Sequence, residues 1–378
     1  MIWTHLILAY FSLFALGIID NGRGPIYPFI INFFHLTKFE ASLFFSLASL
    51  SSLVANITAP FWINKKSSLY WMRVFLLVLG LAPIQLGFSS IYFSGLGVII
   101  FNSLVLGLGL GGIGLVMNIL AAQSSTIEYR KRAFSGLHSM YGISSFLSPF
   151  LFNLFLEKGA DWRWFSVSTG ILPILGFFLS FLITEKKLEI SSDKKDFQLS
   201  FKKCMPFVML FSFYVSSEIL LSSRLVILLV EEFGLATKLA NNYLSGFFFF
   251  LFSGRILFSF LSIKVSNKLM LYLSTATTFC LFVIGEWFRL PIAFSLCGLS
   301  MSYFFPFGMD WVTCEFGEKS GIVVGWIMTG IGISLFLVHG FFGFLSDSFG
   351  VSKAFYIEYI LFAFVFVFIY QLKEKKGK

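Results

Sequence analysis

Charged residues are scarce in this sequence. Asp, Glu, Lys and Arg make up 12% of its 378 residues, about half of the roughly 25% that is typical of soluble domains. With 57% hydrophobic residues, nearly the whole chain is compatible with lipid. A membrane helix takes about 20 apolar residues, so some twelve helices would leave only short loops. No soluble catalytic domain fits into such loops.

Signatures of metals, cofactors and removable leaders are also lacking. The four cysteines show neither CxxC nor Cys/His metal spacing. The run GLGLGGIG at 107–114 satisfies G-x-G-x-x-G, but it lies inside an apolar segment with no strand before it, so we interpret it as helix packing through small residues. No Lys or Arg precedes Arg23, and we interpret residues 1–14 as the start of the first helix rather than a signal peptide. We therefore expect no cofactor, no metal and no enzyme activity.

Apolar runs bounded by charged and turn residues predict an all-α membrane protein with about twelve transmembrane helices. The predicted spans are 4–33, 39–61, 69–91, 95–123, 134–156, 162–183, 205–232, 238–261, 269–287, 290–313, 321–344 and 351–371. A polar stretch, Thr184 to Lys203, interrupts them at the middle. We predict an N-terminal six-helix bundle at 1–183, a linker at 184–204 and a C-terminal bundle at 205–378.

Lysine and arginine distribution predicts the orientation. One set of loops, which includes the linker and the C-terminal tail, carries 18 of these residues, whereas the opposite set carries 6. Because cytoplasmic loops are enriched in Lys and Arg, both termini and the linker are expected in the cytoplasm, with the chain in the cell (cytoplasmic or inner) membrane. The net charge of +9 is then a topology signal and not a nucleic-acid footprint.

The two halves of the sequence resemble each other. At an offset of 199, Leu36 aligns with Leu235 and Lys65 with Lys264 without a gap, and the polar clusters of helices 1 and 7 correspond to within about a turn. Both halves start from the cytoplasmic side, which indicates a parallel, pseudo-symmetric repeat about an axis along the membrane normal. Major facilitator transporters are built in this way, with substrate sites near the midplane.

Four segments of the second half carry a closer resemblance. They are FSFYVSSEILL (211–221), FSGRILFSFLSIK (252–264), CGLSMSYFFPFG (297–308) and GFFGFLSDSFG (340–350). They resemble the fucose permease-like (fucose-galactose-glucose-proton symporter) branch of the major facilitator superfamily, while the superfamily resemblance covers the whole chain. The resemblance implies two six-helix bundles that alternate access to a site formed by helices 1, 4, 5, 7, 8, 10 and 11. Helices 3, 6, 9 and 12 are peripheral in this fold.

The sequence departs from that branch at two places. The loop signature between helices 2 and 3 is degenerate, as FWINKKSSLYWMR (61–73), and lacks an aspartate. Gly24 and Gly114 stand where the sugar permease pattern has proton-relaying acids on helices 1 and 4. The proton relay of the family therefore cannot be carried over directly.

Charged residues within predicted helices are the main candidates for function, because such charges must face a partner or water. Asp20 and Arg23, with Asn21 between them, share one face of helix 1. We interpret them as a cavity-lining pair, loosened by nearby glycines and Pro25, or as an internal ion pair.

On helix 7, Glu218 and Arg224 are six residues apart and cannot readily pair with each other. Each requires a partner on another helix, a bound solute or water. Alternatively, Glu218 pairs with Arg23 and Arg224 with Asp20, as gates between the bundles. Tyr214 could orient Glu218, stack on a sugar ring or pack in the core.

Other polar residues are weaker candidates. Asn118, His138 and Tyr141 are interpreted as cavity residues or helix–helix hydrogen bonds. Asp310 follows Pro306 near the cytoplasmic end of helix 10, where an interfacial and a functional role are equally compatible. Glu358 on helix 12 is expected at the membrane interface, because that helix is peripheral.

These features predict a monomeric secondary transporter that moves a small polar, sugar-like solute by alternating access. Its expected partners are that solute, a proton or another coupling ion and the lipid bilayer, with no nucleic acid. The two cavity arginines favour a rival substrate, an anionic or amphipathic organic solute, and the Phe-rich walls favour efflux of apolar compounds. An intramembrane enzyme that uses His138, or a sensor, is a remote alternative.

Overall fold

A computed structural model describes residues 2–93, 95–126, 128–184, 201–260 and 265–373. Within these residues the chain is nearly all helical, and eleven helices are long and apolar enough to cross a membrane. The predicted all-α fold is confirmed. Most of the predicted linker lies outside the described residues, as do Lys264 and the last five residues.

The chain divides into two compact units, Met1–Ser192 and Asp193–Lys378. The helices of the first unit are α1 (Trp3–Phe34), α2 (Lys38–Trp62), α3 (Ser68–Tyr92), α4 (Leu96–Ser124), α5 (Arg130–Glu157) and α6 (Trp162–Leu179). Side-chain oxygens define several of their starts. Thr37 and Glu40 form a capping box at α2, and Ser67 and Asp161 accept backbone amide hydrogens at α3 and α6.

Glycines on α4 allow its backbone to approach two neighbouring helices. A Cβ atom at Gly107 would lie 2.2 Å from the carbonyl oxygen of Ala48 on α2, and one at Gly109 would lie 2.8 Å from the Cα of Leu79 on α3. Any side chain there would force the helices apart. The Gly-rich run thus serves close helix packing, as the sequence indicated.

The second unit contains α7 (Phe201–Glu231), α8 (Thr237–Phe260), α9 (Asn267–Trp287), α10 (Pro291–Met301), α11 (Phe304–Phe316), α12 (Ser320–Phe349), α13 (Val351–Ala354) and α14 (Ile357–Gln371). The pairs α10–α11 and α13–α14 each form one candidate membrane span, and α8 is not among the eleven. With α8, the described residues of this unit form six helical segments, as do those of the first.

Two predicted helices are divided. The span 351–371 forms α13 and α14, and the span 290–313 is interrupted at Ser302 and Tyr303, between α10 and α11. Pro306 has no amide hydrogen to donate to the carbonyl of Ser302, and its ring would clash with that carbonyl in a continuous helix. In the divided helix, Pro306 instead lies in the first turn of α11, where no intrahelical donor is required.

Candidate functional site

The first polar cluster lies near the middle of α1. The Arg23 guanidinium forms an ion pair with the Asp20 carboxylate one turn earlier, and Arg23 Nε donates to the Asp20 backbone oxygen at 3.2 Å. The guanidinium carbon also lies 4.8 Å from the ring centroid of Phe45 on α2. The internal ion pair is therefore present.

Tyr141 of α5 joins this cluster from the neighbouring helix. Its hydroxyl donates to the second carboxylate oxygen of Asp20 at 3.0 Å. Asn21 donates to Ser145 Oγ at 2.9 Å, and Ser145 in turn donates to the Tyr141 carbonyl at 2.7 Å. Four of the predicted residues, Asp20, Asn21, Arg23 and Tyr141, are thus held in one network across α1 and α5.

Glycine and proline do not break α1 at this cluster, because the helix is continuous from Trp3 to Phe34. The glycines provide space instead. A Cβ atom at Gly17 would lie 2.0 Å from Ser144 Oγ of α5. Close approach of α5 is what brings Tyr141 within reach of Asp20.

A small cavity lies beside Arg23 in the same bundle. It has a volume of about 20 Å³, which is room for about one water molecule. Arg23 and Asn102 both line it. Arg23 Nη1 and Asn102 Oδ1 are buried and form no hydrogen bond within the described residues. Two residues with an unsatisfied polar atom therefore line this small cavity.

The second cluster lies in the C-terminal bundle and joins α7 to α8. Arg255 Nη2 on α8 lies 3.4 Å from Glu218 Oε1 on α7. The Glu218 side chain is 13% exposed and the Arg255 side chain 35% exposed. Sequence reasoning missed Arg255 as a site residue, although an arginine within the apolar run FSGRILF was the signal that could have identified it.

Tyr214 packs in the core of this bundle. It is buried, and its ring stacks on Phe304 with centroids 3.5 Å apart. Its hydroxyl donates to the Met301 carbonyl at 2.8 Å, and the side chain also interacts with Glu218. Of the three predicted roles, core packing and orientation of Glu218 agree with this geometry. Stacking on a sugar ring does not.

Arg224 does not join the Glu218–Arg255 pair. Its side chain is fully buried, and its guanidinium carbon lies 5.4 Å from the ring centroid of Phe342 on α12. An arginine with no exposed surface cannot contact a solute in this arrangement of the helices.

The remaining candidates are Asn118, His138 and Asp310. Asn118 donates to the Gly114 carbonyl on its own helix at 2.7 Å. His138 is exposed, and so is Asp310, which accepts from Asn267 Nδ2 at 2.8 Å. None of these three contacts a residue of the two clusters in the hydrogen bonds and ion pairs above.

The expectation for Glu358 is wrong. The sequence indicated the membrane interface, but the side chain is fully buried and accepts a hydrogen bond from Ser217 of α7. The peripheral position of a helix does not fix the direction of each of its faces, and Glu358 lies on the face of α14 that packs against α7.

Comparisons with known proteins agree with this architecture. The Major Facilitator Superfamily profile matches residues 9–224. A 176-residue segment is 26% identical to Bypass of stop codon protein 6 of Saccharomyces cerevisiae. That alignment covers 44% of this chain but 32% of the yeast protein, so it spans about a third of the relative's length.

Two solved structures are similar over nearly the whole chain. A D-xylose-proton symporter has a TM-score of 0.83 at 13% identity and covers 100% of this chain and 99% of its own. A bacterial homolog of the human lysosomal transporter Spinster has a TM-score of 0.77 at 13% identity. The alignment covers 98% of this chain and 96% of the homolog. At these identities the likeness is one of fold.

Proposed function

The chain belongs to the Major Facilitator Superfamily, and we propose that it is a secondary transporter that moves a small polar solute across the bilayer by alternating access. It is a multi-pass integral membrane protein. The observation that carries the proposal is the Glu218–Arg255 pair between α7 and α8. Charges within membrane helices are expensive and mark substrate or ion pathways, and this pair remains partly exposed.

Charge balance supports a neutral solute. Arg23 is paired with Asp20 and Arg255 with Glu218, while Arg224 is buried. Of these three arginines, the two with exposed surface are therefore each neutralised by a carboxylate, which favours a hydroxyl-rich neutral molecule over an organic anion. We propose a sugar-like substrate, and the D-xylose-proton symporter of the same fold gives this proposal a precedent.

Proton coupling is part of the proposal. Gly24 and Gly114 leave helices 1 and 4 without the acids that the sugar permease pattern has there, so any acid that carries a proton has to lie elsewhere. Glu218 is the first candidate, because it is partly exposed and its partner Arg255 belongs to another helix. Asp20 is the second. We also propose the fucose permease-like branch and the division into 1–183, 184–204 and 205–378.

A stability screen tests the substrate class. Purified protein would be heated with D-xylose, L-fucose, D-galactose or D-glucose, and separately with lactate or succinate. We expect at least one sugar to raise the unfolding temperature and to enter proteoliposomes that contain the protein. Stabilisation and uptake of an organic anion alone would contradict the neutral-sugar proposal.

The proposed orientation has both termini and the linker in the cytoplasm. Lys66 and Lys158 are both exposed and lie in loops of opposite predicted side. After the four native cysteines are replaced, we expect Lys158→Cys to react with a membrane-impermeant thiol reagent in intact cells. Lys66→Cys should react after permeabilisation only, and the reverse pattern would overturn the orientation.

A further inference from the structure

Glu358 is a buried acid with incomplete hydrogen bonding. The side chain is 0% exposed, and one carboxyl oxygen accepts from the Ser217 hydroxyl of α7, which is itself fully buried. The other oxygen, Oε1, is buried and has no hydrogen-bond partner within the described residues. A lone hydroxyl donor does not compensate an ionised carboxylate for the loss of water.

Neighbouring groups do not supply the missing compensation. Within the described part of the chain, no lysine, arginine or histidine forms an ion pair with Glu358, whereas Glu218 has Arg255. The titratable side chains on the helices around it include Glu218 and Arg224 on α7, Glu286 on α9, Cys297 on α10 and His339 on α12. Of these, Cys297 interacts with it electrostatically, and a thiol brings no positive charge.

Two amides at the start of α14 are already engaged. A carboxylate in the first turn of a helix is normally stabilised by free amide hydrogens. Here the amide of Glu358 donates to the Phe355 carbonyl at 2.9 Å, and that of Tyr359 donates to the Tyr356 carbonyl at 3.2 Å. A bound proton is the simplest way to remove the uncompensated charge.

We propose that Glu358 is a proton-binding site, held as the neutral carboxylic acid and loaded and unloaded during transport. Unloading breaks the O–H bond of the acid, passes the proton to water and leaves the carboxylate. Loading is the reverse reaction at the other side of the membrane. The role in transport rests on the proposed function, whereas the bound proton does not.

Helix α7 links this site to the Glu218–Arg255 pair. Ser217 and Glu218 are adjacent and point about 100° apart on the helix, so Ser217 contacts α14 while Glu218 contacts α8. A displacement of α7 changes both contacts at once. Protonation of Glu358 and opening of the Glu218–Arg255 pair are thereby coupled through one helix.

Infrared spectroscopy tests the bound proton without any substrate. Neutral carboxylic acids have a carbonyl stretch that is separate from carboxylate and amide bands and shifts in D₂O. We expect the wild-type protein to show such a band and Glu358→Gln, which is nearly isosteric, to lose it. Glu286→Gln, in which an acid of α9 is changed, is the matched control and should retain the band. Equal spectra for the wild type and Glu358→Gln would overturn the proposal.

Ser217→Ala provides a second variant that keeps the carboxyl group. It removes the hydrogen bond to Glu358, so the carbonyl band should move to higher frequency without losing intensity. Such a shift would assign the band to Glu358 even if the Glu358→Gln protein fails to fold. An unchanged band position in Ser217→Ala would show that the proton lies on another acid.

Transport of D-xylose in proteoliposomes tests the coupling. With one proton carried per sugar, a gradient of one pH unit supports roughly tenfold accumulation. We expect the Glu358→Gln protein to exchange D-xylose without accumulating it. The Glu286→Gln protein should accumulate D-xylose as the wild type does. If Glu358→Gln loses the infrared band but still accumulates D-xylose, Glu358 binds a proton that it does not release during transport, and its proposed role in coupling is wrong. Absence of D-xylose transport by the wild type would count against the proposed substrate, and the infrared result would still decide the proton site.

Discussion

Each bundle holds an acid and an arginine within its helices, but the two pairs are built differently. Asp20 and Arg23 share α1, and Tyr141 binds the same carboxylate. Glu218 and Arg255 lie on separate helices, and the Arg255 side chain is 35% exposed against 11% for Arg23. A pair on one helix moves as a unit when helices shift, whereas a pair between helices opens when they separate. We therefore expect the first pair to be a fixed element and the second to change during transport.

The largest expected effect is on stability and distinguishes the two arginines. Arg23→Ala leaves Asp20 without its cation in a mostly buried network and should lower the free energy of unfolding by about 3 kcal/mol. Arg255→Ala removes a more exposed partner and should cost about 1 kcal/mol. Unfolding of both variants in the same detergent would measure the difference.

A double substitution sharpens this test. Asp20→Asn combined with Arg23→Ala removes both charges, so part of the loss seen for Arg23→Ala should be recovered. A double variant that is less stable than Arg23→Ala would show that packing of the arginine against Phe45, and not its charge, stabilises the bundle.

The next effect concerns coupling. Glu218→Gln should preserve sugar exchange and abolish accumulation driven by a pH gradient, a loss of roughly tenfold for one pH unit and one proton. Asp20→Asn should retain accumulation, because its pair does not span two helices. Uptake and exchange of labelled D-xylose in proteoliposomes measure both. Accumulation that persists in Glu218→Gln, or disappears in Asp20→Asn instead, would reverse the roles of the two bundles.

The smallest effect concerns the hydrogen bond that holds the first pair to α5. Tyr141→Phe removes the donor to Asp20 and should lower the free energy of unfolding by about 1 kcal/mol, with coupling unchanged. Tyr10→Phe is a comparable control for stability. It removes a hydroxyl of α1 that donates to the carbonyl of Ala133 on α5, the helix that carries Tyr141. Loss of pH-driven accumulation in Tyr141→Phe alone would mean that the first pair also changes during transport.

Much of the fold could be predicted because hydropathy depends on the sequence alone. Each predicted span overlaps a helix or a pair of helices of the structure, and the Gly-rich run on α4 packs as expected. The interruption between Met301 and Phe304 was missed because a proline can kink, end or start a helix. The residues that pack around the proline decide which of these occurs.

The site was predicted less completely. Asp20 and Arg23 lie three residues apart, so helix geometry alone indicated their pairing. The partner of Glu218 could not be found in this way, because Arg255 is 37 residues away on another helix. Arg224, much nearer in sequence, lies instead against Phe342.

The sequence by itself determined where the membrane-spanning segments lie, which charged residues fall within them and which small residues allow close packing. Only the tertiary structure decided which charges meet, and that Glu358 is buried against Ser217 rather than exposed at the interface. The reason is physical. Spacing along a helix fixes the angle between two side chains on that helix, but the rotation of one helix against another depends on the packing of the whole bundle.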